Sequence, residues 1–421
     1  MSPTARARLR VLVSAYACGP GDEPEAAAGW AFATAAATDH DVVVVTRRRF
    51  EGAVTAALAA DPELARHLRV VHLECHPTLL AAKRGRLGIY WYYVLWQREL
   101  RRLAARLHHE QPFDVVHHVT FANDWLPCGL VGATDAPLVW GPVGGASASP
   151  LRLARWLGVR GTLTEIARES ATRPVRRLWG DAAARAASVV VAQNDDVAHR
   201  FRSARHVVVE ANASLAPEDV DLVQDAASVA SGSSTGRRRA VYVGRLISLK
   251  GVRIAVAAMS DTALADWDLD IYGEGYERSS LERQVHRLGL TDRVRFLGHR
   301  PRTEVLSALA HADALVFPSM HDQAGWVAAE ASALGCPVVC LPFGGPPVLA
   351  DVNAHVVPLE KDLPAALARA VAALPRGRGP RSRRWDAGRL PGFLARVYGL
   401  ALPADPQESP AAGPPVGPGG R

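Results

Sequence analysis

The chain has 421 residues, 48% hydrophobic and 22% charged, enough for two or three domain cores in a water-soluble globular protein. It has no run of about eighteen apolar residues, and its arginine-containing start leads into a strand pattern rather than a signal-peptide core, which argues against membrane-spanning and secreted proteins. Forty-nine basic against 42 acidic residues give a charge of +7, suited to an anionic ligand but well short of a nucleic-acid binder, and the scattered Cys18, Cys75, Cys128, Cys336 and Cys340 support neither a disulfide framework nor a zinc site; reduced thiols in the cytoplasm are expected.

Short apolar runs alternate with Ala/Leu/Arg-rich stretches of helical period, the pattern of parallel α/β sheets. The first series predicts strands at Leu9 to Ser14, Asp41 to Thr46, Arg69 to Leu73, Asp114 to Val119, Pro137 to Trp140, Ser188 to Ala192 and His206 to Glu210. After the first strand, Gly19 and Gly21 would let backbone approach a ligand, and Gly29 with Trp30 is expected to open a helix whose amides attract an anion; a plain surface connection is the alternative. In the basic aromatic stretch Lys83 to Arg106, Trp96, Leu100 and Leu103 share one helical face and read as core in preference to a membrane or large-ligand contact. The arginine-rich run Leu151 to Trp179 reads as a solvated helical surface.

Residues 225–239, rich in Ser, Gly and Arg without apolar periodicity, form the expected linker between a first domain at 1–224 and a second at 240–383. The second series of strands is predicted at Ala240 to Gly244, Asp268 to Gly273, Val294 to Leu297, Ala314 to Pro318 and Pro337 to Leu341, giving each domain its own doubly wound sheet. One amphipathic helix is expected within 384–402, followed by a disordered tail at 403–421.

Ligands of open α/β sheets bind at the carboxyl ends of the strands. There Arg245 and Lys250 have the placing expected of a diphosphate clamp, with an ordinary surface pair as the alternative, while Gly273 and Gly275 form only a G-x-G, for which a tight turn is the plain explanation. The segment from Phe317 to Val339 is the most informative. Asp322 stands before a helix, free amides at Gly325, Trp326 and Val327 would meet a phosphate or sugar hydroxyl, and Glu330 lies about two turns into the helix. A carboxylate in so apolar a helix needs a partner, either a sugar diol or a neighbouring arginine.

Taken in order, Gly244-Arg245-Leu246 with Lys250-Gly251, Gly273-x-Gly275, Val294-x-Phe296-Leu297-Gly298, Phe317-Pro318-Ser319 and the Asp322/Glu330 pair resemble the retaining GT-B glycosyltransferases of family GT4. The first half resembles one branch of that family through Ser14-Ala-Tyr-Ala-Cys18, Gly29-Trp30, His117-His118-x-Thr120 and Gly141-Pro142-Val143-Gly144-Gly145. The resemblance spans roughly residues 9–400. It implies two Rossmann-like domains facing across a cleft, with the last helix crossing back to the first domain. It also implies a nucleoside-diphosphate sugar as donor substrate, UDP-sugars first and GDP-mannose second, and no cofactor or metal. The acceptor is open among natural products, polysaccharide intermediates and lipid-linked sugars. Arg245 and Lys250 would stabilise the leaving diphosphate, Glu330 hold the ribose, Asp322 lie near the transferred sugar, and Gly325, Trp326 and Val327 contact sugar or phosphate. Asp322 departs from the family's glutamate by one methylene, which keeps a non-catalytic nucleotide- or partner-binding protein as the alternative. The family's first-domain histidine maps onto His117 or His118, whose side chains must point to opposite faces of a strand. His118 is favoured because Thr120 shares its side; a satisfied core residue is the alternative for either histidine. Acceptor binding is the alternative reading of Leu151 to Trp179. A dinucleotide oxidoreductase would need a G-x-G-x-x-G after a first strand, and neither domain offers one.

Overall fold

In the computed structural model the described residues are 7–21, 23–83, 85–146, 149–215 and 236–403. Most of the expected linker, 225–235, and all but the first residue of the expected tail lie outside them.

Among the described residues two parallel sheets form. The first contains β1 (Arg10–Ala15), β2 (Asp41–Thr46), β3 (Leu68–His72), β4 (Val115–Thr120), β5 (Leu138–Val143), β6 (Ala187–Ala192) and β7 (Val207–Val209) in the order β3-β2-β1-β4-β5-β6-β7. The second contains β8 (Arg238–Val243), β9 (Trp267–Tyr272), β10 (Val294–Gly298), β11 (Ala314–Phe317), β12 (Val338–Cys340) and β13 (Ala354–Val356) in the order β10-β9-β8-β11-β12-β13. Both are doubly wound: strand order reverses beside the first strand of each, so a crevice opens there at the carboxyl ends. The central strands are runs of β-branched residues, such as Val42 to Val45, buried on both faces because helices cover both sides.

Helix Pro24–Asp39 begins on a proline whose missing amide proton costs a helix start nothing, and its Phe32, Ala33 and Ala36 pack on β1, β2 and β4. Helix Gly85–Glu110 buries Tyr92, Tyr93, Trp96, Leu100 and Leu103 against the opposite face of the sheet, so the aromatic stretch is core. The last helix, Leu390–Ala401, inserts Leu390, Phe393, Leu394, Val397 and Tyr398 into the core of the first sheet, beside Pro24–Asp39. The chain is tied there as it crosses over. Leu215 and Ala387 exchange backbone hydrogen bonds with Trp385 and Leu215, and the buried Glu210 carboxylate receives Arg384 (2.8 Å) and Arg389.

Helix Ala154–Val175, kinked at Gly158 (φ 65°), corrects the reading of Leu151 to Trp179 as a solvated surface. Leu153 and Leu157 enter the core of the second lobe, and a Cβ at Gly161 would lie 2.9 Å from Ser248 Cβ. One face of this helix therefore joins the lobes while another stays open.

Tyr398 is fully buried, and its hydroxyl lies 2.9 Å from His117 Nδ1. Tyr398→Phe deletes that bond and leaves a buried ring nitrogen unpaired. Urea unfolding should show a loss of about 1–3 kcal/mol, and a neutral substitution would mean that the last helix is not docked as described.

Candidate functional site

The second lobe presents its loops at the carboxyl ends of β8, β9, β11 and β12, and glycines let those loops touch. A Cβ at Gly273 would fall 2.0 Å from Gly244 O, and one at Gly275 2.2 Å from Leu246 O. Leu246 N donates to Glu274 O (2.9 Å) and Glu277 N to Leu246 O (3.0 Å). Gly273 and Gly275 are thus required by contact between the β8 and β9 loops, whatever else lies beside them. The 3-10 turn Ser248–Lys250 is joined to the loop after β11 through Leu249 O, which accepts from Met320 N (2.8 Å).

Across that junction Lys250 Nζ donates to Asp322 Oδ2 and lies 3.5 Å from His321 O. Both side chains are mostly enclosed, 14% and 15% exposed. The Asp322 segment is drawn inward from the other side, where Gly345 N donates to Asp322 O (3.0 Å) and a Cβ at Gly344 would lie 1.9 Å from that oxygen. Arg245 is exposed, and its guanidinium makes no hydrogen bond or ion pair with another described residue. Helix Trp326–Ala333 starts at Gly325 (φ 74°) with no side chain capping it, leaving the Trp326 and Val327 amides at a positive helix end. Glu330 is held by Arg302, whose Nε and Nη2 stand 2.9 and 2.8 Å from Oε1. The neighbouring arginine anticipated as one partner for this carboxylate is therefore Arg302, at the start of helix Arg302–His311, a residue the sequence reading did not single out.

The first lobe gives its histidine candidates the surroundings of core residues. His117 and His118 do point to opposite faces of β4, but both rings are buried with both nitrogens engaged. His117 meets Tyr398 OH and Gly141 O (2.9 and 2.8 Å), and His118 meets Tyr93 OH and Ser14 Oγ (3.1 and 3.0 Å). Burial lowers their pKa values to about 4 and about 3. The structure thus places both in the core rather than on an open surface of the cleft, because the apolar helices on either side leave no room at either face. Gly29 does not open its helix, which begins at Pro24; it sits in the second turn because a Cβ there would be 2.2 Å from Ala17 O. Gly19 lies against Phe50, and Gly21 (φ 125°) faces open space.

A residue missed by sequence reading stands at this end of the sheet. Glu25, in the first turn of Pro24–Asp39, accepts from Phe121 N (2.7 Å) just beyond β4 and from Asn212 Nδ2 (3.4 Å) beyond β7. Burial raises its pKa, partly offset by the Phe121 amide. An acidic residue in a helix's first turn is common, so only its depth, visible in three dimensions, marks it.

The lobes meet around Asp322. Asn194 Nδ2 donates to Gln323 O (3.1 Å), Gly344 N to Asp196 Oδ2 (2.9 Å) and Ser149 Oγ to Met320 O (2.9 Å). A Cβ at Gly144 would lie 2.3 Å from Gln323 Oε1, which explains a glycine in that motif. His321 sits 3.9 Å from Glu165 and 3.5 Å from Arg168, both on Ala154–Val175. Burial and then Arg168 lower its pKa, with Glu165 opposing. The arrangement gathers Lys250, Asp322 and the helix end at Gly325, where a Cβ would lie 3.6 Å from Asp322 Cγ, at the place where the lobes touch, with Arg245 on the same β8 loop as Lys250. Among the described residues no three His, Cys, Asp or Glu side chains group as a metal site requires.

The model of the glycosyl transferases group 1 family matches residues 223–389. The match covers about two fifths of the chain and contains the whole second sheet. Over 164 residues the chain is 35% identical to the 2-deoxystreptamine glucosyltransferase of Streptomyces kanamyceticus, covering 38% of this chain and 41% of that protein. Over 184 residues it is 34% identical to a D-inositol 3-phosphate glycosyltransferase of Salinispora tropica, covering 38% of each. The matched stretches thus span about two fifths of these relatives. Likeness in fold covers far more of the chain: sucrose-phosphate synthase of Thermosynechococcus elongatus aligns over 93% of this chain and 98% of its own, with TM-score 0.56 and 18% identity. Anabaena HepE, solved with UDP and glucose, aligns over 93% and 100%, with TM-score 0.52 and 18% identity. The two-sheet architecture is the GT-B fold, and the stretch similar to group 1 glycosyl transferases falls on its second lobe. No described helix is long and apolar enough to cross a membrane.

The buried histidines supply a test of the first lobe. Folded, both stay neutral to about pH 4 and 3, whereas an unfolded histidine takes up a proton below about pH 6.5. Unfolding therefore binds protons between these limits, and stability falls as pH drops through that window. Urea unfolding of His118→Gln between pH 6.5 and 4 should show a decline shallower by one proton than the parent; equal slopes would place His118 in contact with solvent.

Proposed function

We propose that the protein is a retaining glycosyltransferase that moves a sugar from a nucleoside-diphosphate sugar, UDP-sugars first and GDP-mannose second, to a hydroxyl of an acceptor. The observation that carries the reading is the placement of Arg245, the Lys250–Asp322 pair and the uncapped helix end at Gly325 on loops beyond the carboxyl ends of β8 and β11, where the lobes touch, inside the stretch similar to group 1 glycosyl transferases.

The chemistry follows from where charge develops. Breaking the bond between the anomeric carbon and the diphosphate oxygen leaves positive charge on the sugar and negative charge on the departing diphosphate. Arg245, Lys250 and the Trp326 and Val327 amides answer the negative charge; fixed donors in an enclosed site are worth more than the same groups in water. Asp322 lies beside Lys250, so its carboxylate is the nearest anion to a sugar held over that lysine. Its side chain is a methylene short, but the Gly344-Gly345 contact draws the whole segment inward, which supports a preserved role. Glu330, oriented by Arg302, is assigned to the ribose. The acceptor hydroxyl oxygen attacks from the face the diphosphate leaves, and its proton passes to a phosphate oxygen of the donor, so configuration is retained. With both histidines buried and bonded, no general base is assigned to the first-lobe strand. The cations are the protein's own, and no step is given to a metal ion.

Thermal-shift screening of sugar nucleotides against the full chain should single out one donor, because a ligand selective for the folded state raises its melting temperature. With that donor, Arg245→Ala and Glu330→Ala should each reduce kcat/KM by about 10²–10³-fold, with unchanged circular dichroism and no loss on adding EDTA. Full turnover in both variants would defeat the assignment, and loss with EDTA would defeat the metal-free charge scheme.

A further inference from the structure

A groove of about 720 Å³ lies in the first lobe between helix Ala154–Val175 and the loop containing Ser149, outside the group of Lys250, Asp322 and Gly325. It opens directly beside the reacting end of the cleft: Glu165 lines it with a carboxylate 3.9 Å from His321, and Ser149 lines it while bonding Met320 O. The charges along it are unevenly compensated. Arg176 is neutralised by Asp124 and Glu169 and Arg200 by Asp124 and Asp181, whereas Arg173 and Arg177, both exposed, form no ion pair with another described residue. Toward the other end of the same helical stripe stand Val159, Leu163 and Ile166, respectively 79%, 61% and 47% exposed. From Ile166 to Arg173 is seven residues, about 10 Å along a helix. Ile166 lines the groove together with Arg173 and Arg177, while Leu163 and Val159 carry the apolar strip from it onto the exposed helix surface outside the groove; two cations without an ion-pair partner beside such a strip match a ligand that is itself anionic at one end and apolar at the other.

Resting on the glycosyltransferase reading, we infer that this groove is the acceptor subsite and that the acceptor is an anionic amphiphile, its phosphate or carboxylate held by Arg173 and Arg177 and its apolar part laid over Leu163 and Ile166. A sugar with no charge would leave both arginines without a partner, and a purely polar anion would leave the apolar strip in water.

The test titrates the full chain with octyl phosphate below its critical micelle concentration, beside inorganic phosphate and octyl glucoside, by calorimetry. Octyl phosphate should bind at least tenfold more tightly than either control, and both Arg173→Glu/Arg177→Glu and Leu163→Ser/Ile166→Ser should weaken it at least tenfold while leaving the donor-induced thermal shift unchanged. Equal binding by parent and arginine variant, or no preference for octyl phosphate over either control, overturns the proposal. So does binding to phosphatidylglycerol vesicles without binding of monomeric octyl phosphate, which would make the strip a membrane contact. If octyl phosphate binds through the arginines but no sugar nucleotide shifts the melting temperature, the amphiphile site stands and the transferase reading falls.

Discussion

The ion pair between Lys250 and Asp322 joins loops that leave two neighbouring strands, β8 and β11, and the cleft takes its form from the conditions that let the pair exist. Two charges removed from most of their water are costly unless geometry and further contacts compensate, and removing one partner of such a pair costs about 3–5 kcal/mol when fully buried. Here the compensation is built from backbone. Gly251, in the left-handed region, lets the β8 loop lie against Pro318 O, Leu249 O receives the Met320 amide, and Gly344 and Gly345 press on the Asp322 segment from behind. A side chain at any of these contacts would push the loops apart and separate the charges. The glycines so prominent in the sequence are therefore spacers for loop-to-loop packing first, and their bearing on ligands comes through the charges they hold in register.

That arrangement explains which parts of the molecule were legible in sequence. Buried central strands of parallel sheets must be apolar throughout, so runs such as Val42 to Val45 or Val338 to Cys340 announce themselves. β13, the three residues Ala354–Val356 at a sheet edge, carries a histidine and an exposed valine and gives no such signal. The cationic loop positions were equally visible, since an arginine and a lysine placed just beyond a strand are where a parallel sheet delivers its chemistry. Side-chain direction within β4 was half visible: period two requires His117 and His118 to oppose each other. What covers each face was not, because it depends on Tyr93, from a helix 25 residues earlier, and on Tyr398, from the far end of the chain.

Partners distant in sequence account for the remaining differences. Arg302 on Glu330, and Asp124 between Arg176 and Arg200, pair residues from separate elements, and no local pattern identifies which arginine among many reaches which carboxylate. The Leu151 to Trp179 run illustrates the same limit. Its arginines suggest a solvated helical surface, yet Leu157, Gly161 and Glu165 fall on one face and dock on the second lobe, which leaves the stripe from Val159 to Arg177 as the open side.

The helix Ala154–Val175 consequently belongs to both lobes: its chain position is in the first, while its buried face completes the core of the second. Glu165 and Arg168 extend from it to His321, the residue before Asp322, so a movement of the helix reaches the carboxylate of the Lys250 pair through one intervening side chain. A ligand lying along the open side of the helix would thus bear on the same loop that positions the donor-side charges. The open face of the helix in one lobe and the Lys250–Asp322 charges in the other are coupled by contact rather than by distance.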